Sequence, residues 1–188
     1  MKNALALAAF GLISATIMPL AVAWAALPEM LSPDSVASGA APAPSVVNPS
    51  PHPAGVPVWM LGLYRSAAAT CPGLSWTVVA AIGTVESDNG QSTLPGVHSG
   101  ANEAGAEGPM QFEPPTFAMY DEPVPPGGVT PPSPYDPTDA VYAAARMLCA
   151  DGAGSPSSLG QAVFDYNHSG AYVAEVLSVA RSYGYGGT

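Results

Sequence analysis

Ser75-Trp76-Thr77-Val78-Val79-Ala80-Ala81-Ile82-Gly83-Thr84-Val85-Glu86-Ser87-Asp88 reads as one helix that ends on a carboxylate. Val78, Val79, Ile82 and Val85 recur at helical spacing and form an apolar arc. Glu86 follows Ile82 by four residues, so it shares a face with the buried stripe rather than with solvent. A carboxylate on the wet side of a helix is a solvated charge, whereas this one borders the core. Asp88, two residues further on, points away from it. The plainer alternative is an ordinary helix-end charge, and the rest of the chain has to decide between them.

Outward from this segment, the periodic stretches are helical. A helix is predicted from Pro57, at its first turn, through Trp59, Met60, Leu63 and Tyr64 to Ala67-Ala68-Ala69. Pro72-Gly73 then breaks the chain. Gly90 to Gly108 reads as loop, and Pro114-Pro115-Thr116-Phe117 as a short helix start leading to Tyr120. Asp121 to Pro134 is a Pro/Gly excursion, expected to form an ordered rim of the cleft that Glu86 faces. Asp136-Pro137-Thr138-Asp139 combines an N-cap, a proline at the first position and a first-turn acid, and opens a helix to about Ala150. Ser158–Asn167 and Ala171–Tyr183 are the last two helices, the latter with Tyr172, Val173, Val176, Leu177 and Ala180 as its apolar face. No segment alternates as a strand does. The fold class is therefore all-α, a helical domain with long Pro/Gly loops and little or no β.

The 188 residues suit one domain plus extras. Four Lys+Arg against 14 Asp+Glu give a net charge of -10, and Lys2 is the only lysine. No basic patch can form, so nucleic acid is excluded as a partner. An anionic wall polymer would be repelled by net charge, so any wall binding must be local and steric. Residues 1–27 read as a signal peptide, with Lys2, an apolar run from Ala4 to Leu20, and small-x-small sites at Ala21-Val22-Ala23 and Ala23-Trp24-Ala25. The alternative is an uncleaved membrane anchor; both place the domain outside the cytoplasm. Residues 28–56, rich in Pro, Ala and Ser, read as a disordered tether, leaving 57–188 as the domain. In an exported chain the two cysteines, Cys71 and Cys149, have one intramolecular pairing. His52, His98 and His168 are isolated, so no metal site and no cofactor is expected.

A glycosidic oxygen leaves only once protonated, so cleavage needs an acid that holds its proton near neutral pH. A free Glu is protonated in roughly one molecule in 500 at pH 7, and an apolar wall that raises its pKa to about 6 makes that roughly one in ten. Glu86 is the carboxylate with that expected environment. Gly108-Pro109-Met110-Gln111-Phe112 adds a fixed bend, a soft apolar surface and an amide with both donor and acceptor. Phe164-Asp165-Tyr166-Asn167 places a phenol and an amide at a helix end. Taken singly, these could equally be core aromatics and a C-cap.

The order of the pieces decides. Glu-Ser, then Gly-x-Met-Gln about 22 residues on, then an Ala-rich helix, then Tyr-Asn, resembles the lytic transglycosylase (SLT) domain of the lysozyme-like superfamily from about Pro57 to Tyr183. Cys71-Pro72-Gly73-Leu74-Ser75-Trp76 and the Cys149 region look like secreted bacterial members. The resemblance implies Glu86 as catalytic acid/base and Ser87 as a cleft hydrogen-bonder, with Met110 and Gln111 lining glycan subsites. It also implies Tyr166 against the catalytic carboxyl and Asn167 on the N-acetylated sugar. The implied partner is the peptidoglycan strand, cut between N-acetylmuramic acid and N-acetylglucosamine by a monomer to leave 1,6-anhydro ends. Glu113 and Phe117 depart from the family's usual apolar residue and Trp. Two rivals remain. A hydrolytic muramidase, or a chitinase, on the same fold would use Asp88, Glu103 or Glu107 to hold water. A non-catalytic wall-binding module would need no acid.

Overall fold

The computed structural model describes residues 53–187. The expected signal peptide and most of the expected tether lie outside the described residues. Six helices follow one another: α1 Val58–Ala68, α2 Trp76–Ser87, α3 Pro114–Tyr120, α4 Pro137–Ala150, α5 Leu159–Asn167 and α6 Gly170–Ser182. No strand occurs among the described residues; a single antiparallel bridge joins Glu107 and Phe112. The domain is all-α. No helix among the described residues is long and apolar enough to cross a membrane.

The helix ends follow their local chemistry. Ser75 caps α2 by accepting from the Thr77 amide, and Asp136 caps α4 by accepting from Thr138 and Asp139. Pro137 occupies the first turn of α4, where its missing N–H costs nothing. Ser169 caps α6. α2 packs against α1, α4 and α6, and is buried from Thr77 through Gly83. Its run of Val, Val, Ala, Ala and Ile is apolar nearly all round because neighbours cover it nearly all round. Gly83 is what lets α1 approach: a Cβ there would meet the Tyr64 hydroxyl at 2.1 Å. Cys71 and Cys149 are joined, tying the chain before α2 to the end of α4 across a separation of 78 residues.

Two expectations are corrected here. The ordered domain begins before residue 57, because Val56 is buried and the Gly55 carbonyl accepts from the side chains of Asn89 and Gln91. An apolar residue seated in the core and a doubly held carbonyl offset the entropy that composition alone argues against. The Asp121–Pro134 segment is ordered but does not line the Glu86 cleft. Arg146 holds it by donating to the carbonyls of Tyr120 at 2.8 Å and Pro123 at 2.5 Å. Fully buried Asp139 Oδ2 accepts from Val129 and Ser133. The segment thus wraps one side of α4. Only its exit reaches the cleft wall, where Pro134 O sits against Gly108 and Tyr135 donates to Gly100 O.

Candidate active site

Glu86 occupies the last turn of α2, and the way that helix stops builds one side of the site. Asp88 and Asn89 both take left-handed backbone angles, at φ 51° and 58°, and the Asn89 amide returns to Gly83 O at 2.8 Å. Asn89 is fully buried: its Oδ1 accepts from Tyr64 and Thr84, and its Nδ2 donates to Gly55 O. The reversal is therefore fastened to α1 and to the incoming chain. The helix ends where Glu86 meets open space.

The opposite wall is a tight hairpin. Glu107 and Phe112 exchange backbone hydrogen bonds of 2.9 Å, and the Gln111 amide donates to Gly108 O. Gly108 at φ 77° and Gln111 at φ 49° close the turn. Gly108 is needed twice over, for that angle and because a Cβ would meet Pro134 O at 1.7 Å. Ser87 Oγ ties the two walls together by donating to Pro109 O at 2.6 Å while accepting from the Gly90 amide at 2.7 Å.

Between these walls lies a cleft of about 370 Å³. Glu86, Gln111, Tyr166 and Asn167 line it, so four of the six candidate site residues come together. The other two have different work. Ser87 is buried and spends its hydroxyl on the two loops, so it is a brace rather than a cleft hydrogen-bonder. Met110 is fully buried with its sulfur near Gly83; its side chain belongs to the core and only its carbonyl, which accepts from Tyr166 Oη at 2.9 Å, serves the site.

The tyrosine on the carboxyl is not the expected Tyr166. Tyr172 Oη donates to Glu86 Oε1 at 2.6 Å. Tyr166 stacks flat on Tyr172, with ring centroids 6.3 Å apart and planes 5° off parallel. Tyr172 belongs to the apolar face of α6, as its spacing predicts, and its ring is buried; only the hydroxyl reaches Glu86. Helical spacing fixes where a ring points, not what its far end touches. Asn102 is a further site residue that the sequence does not reveal. Its Nδ2 donates to Gln111 Oε1 at 2.9 Å while its Oδ1 accepts from the amides of Ala104 and Ala106. A lone Asn in a Gly-rich loop offers no periodicity by which to find it. None of the three carboxylates expected to hold water in a hydrolase, Asp88, Glu103 and Glu107, lines the cleft; Glu113 and Asp165, which that expectation did not name, do.

Burial pushes the Glu86 carboxyl up to about 7; the Tyr172 hydrogen bond pulls the other way, and the charge of Glu175 adds to the rise. At neutral pH about half the molecules carry the proton. Burial, reinforced by Glu86, also holds the phenols of Tyr166 and Tyr172 above the usual tyrosine range, so both remain neutral donors. The arrangement can deliver a proton to a ligand atom in the cleft and take one back, from a group whose orientation is fixed by a neutral phenol. No grouping of three or more His, Cys, Asp or Glu suited to a metal ion occurs among the described residues. No family model, curated protein or solved structure matches this chain.

Proposed function

We propose that this chain is a peptidoglycan lytic transglycosylase built on a lysozyme-like domain, with Glu86 as its single acid/base. The observation that carries the reading is a half-buried carboxyl raised to about 7, oriented by Tyr172 and opening into a cleft with Gln111 and Asn167. A glycan-cleaving acid has to be protonated at working pH and to ionise easily afterwards, and a pKa near 7 serves both halves of that cycle.

The steps balance without water. Glu86 gives its proton to the bridging oxygen between muramoyl C1 and the O4 of N-acetylglucosamine. The C1–O4 bond breaks with its electron pair going to oxygen. The Glu86 carboxylate then takes the proton of the muramoyl 6-hydroxyl as that oxygen bonds to C1, leaving a 1,6-anhydro end and Glu86 protonated again. Tyr172 Oη, donating to Oε1, steadies the carboxylate when it forms. The paired amides of Asn102 and Gln111 set one wall, and exposed Asn167 offers donor and acceptor to an acetamido group. The Cys71–Cys149 bridge supports export to an oxidising compartment, in keeping with the leader-like residues 1–27.

The second reading, a hydrolytic muramidase, draws on Glu113 and Asp165, which line the same cleft and could hold a water on the far face of the sugar. Mass spectrometry of purified peptidoglycan digested by the protein separates the readings. Anhydro ends, lighter by one water, support the transglycosylase, and reducing ends support the hydrolase. Binding to the wall without either product would sink both.

A further inference from the structure

Resting on the proposed glycan-cleaving reading, the charge inventory of the cleft bears on which strands it accepts. Three carboxyls line it, Glu86, Glu113 and Asp165, and Glu175 is close enough to act on Glu86. Among the described residues no Lys or Arg lines it, and the one imidazole on its wall is that of His168, the left-handed residue after α5. The three arginines of the chain are engaged or placed elsewhere. Arg65 lies over the Trp76 ring at 5.0 Å, Arg146 is spent on the carbonyls of Tyr120 and Pro123, and Arg181 is exposed in the last turn of α6. The chain as a whole, at a net charge of -10, offers no compensating field.

Peptidoglycan strands differ in charge at the stem peptides carried by the muramoyl lactyl group. A stem with free carboxylates is anionic; one whose carboxylates are amidated is nearly neutral and presents amide N–H donors. A concave site with low-dielectric walls focuses the field of its own charges, so like charge in substrate and cleft slows capture. Amide donors, by contrast, suit the exposed carboxylate of Glu113 and that of Asp165, whose Oδ1 already accepts from Gln161 Nε2 at 2.7 Å and whose Oδ2 is left to accept. We infer that this cleft selects glycan strands whose stem-peptide carboxylates are amidated and discriminates against free-acid strands, with Glu113 and Asp165 as the selecting residues.

The test compares kcat/KM of the full chain on two strand preparations of equal length, amidated and free-acid, at low and physiological ionic strength. At about 10 mM salt the amidated strand should be cut about tenfold faster. The gap should shrink to about twofold near 150 mM, as the screening length falls from about 30 Å to about 8 Å. Glu113→Gln with Asp165→Asn should close most of the low-salt gap by speeding turnover of the free-acid strand. Glu113 is exposed and makes no side-chain capping bond, so Glu113→Gln alone, closing part of the gap, serves where the double variant does not fold. Equal rates on both strands at low salt, or a gap indifferent to salt and to both variants, would overturn the inference while leaving the glycan-cleaving reading intact. If neither strand is cut under any condition, that reading fails, and the inference with it.

Discussion

Replacing Glu86 by Gln should make the protein more stable and inactive, and the gain in stability should depend on pH. The carboxyl has a folded-state pKa of about 7 against an ordinary value of 4.5. Between those values the folded chain binds more protons than the unfolded one, so stability falls as pH rises through that window. At about 1.4 kcal/mol for each of the 7 − 4.5 = 2.5 pH units separating the two values, the ionised carboxylate costs the native state about 2–3.5 kcal/mol above neutral pH, the lower figure allowing for water on its cleft side. Below about pH 4 the group is protonated in both states and costs nothing. Gln is isosteric, never ionises, and keeps an oxygen to accept from Tyr172 Oη. Urea denaturation of wild type and Glu86→Gln across about pH 4 to 8 should give curves that coincide at the acid end and separate steadily to about 2–3.5 kcal/mol. Wall-lytic activity of the folded variant should fall by roughly 10²-fold or more. Parallel stability curves across the whole range would refute the raised pKa. Retained lytic activity would refute the role of Glu86.

Three shorter expectations follow from the same geometry. Tyr172→Phe removes a hydrogen bond that favours the carboxylate, so the Glu86 pKa should rise further and the alkaline limb of the pH–rate profile should move up; a limb that stays put would mean the contact is absent in solution. Gly83→Ala gains about 1 kcal/mol of helix propensity but drives a Cβ to 2.1 Å from the Tyr64 hydroxyl, so overpacking of roughly 1–3 kcal/mol should win and the melting temperature should drop rather than rise. Replacing Cys71 and Cys149 together by Ser should cost up to roughly 4–5 kcal/mol, the loop-closure value for a separation of 78 residues, and native protein without reductant should yield no thiol to labelling.

What sequence determined by itself was whatever depends on spacing and on local backbone chemistry. The apolar period of Val78, Val79 and Ile82 placed α2, Asp136-Pro137 opened α4, and the four-residue step from Ile82 to Glu86 set that carboxylate against the core. These hold because neighbours along a helix are neighbours in space. Tertiary structure alone decided which far ends meet. Tyr172 reaches Glu86 across 86 positions, while Tyr166 turns to Met110 O across 56. Nothing in the spacing of α5 and α6 tells the two phenols apart, because the choice depends on how both helices seat against α2. Met110 and Ser87 sit in a motif that reads as substrate-facing, yet both are consumed from within, one filling space beside Gly83 and the other bracing two loops. A hydroxyl or a thioether suits a subsite and a buried joint equally well by type. Only the packing around it shows whether its face is left open.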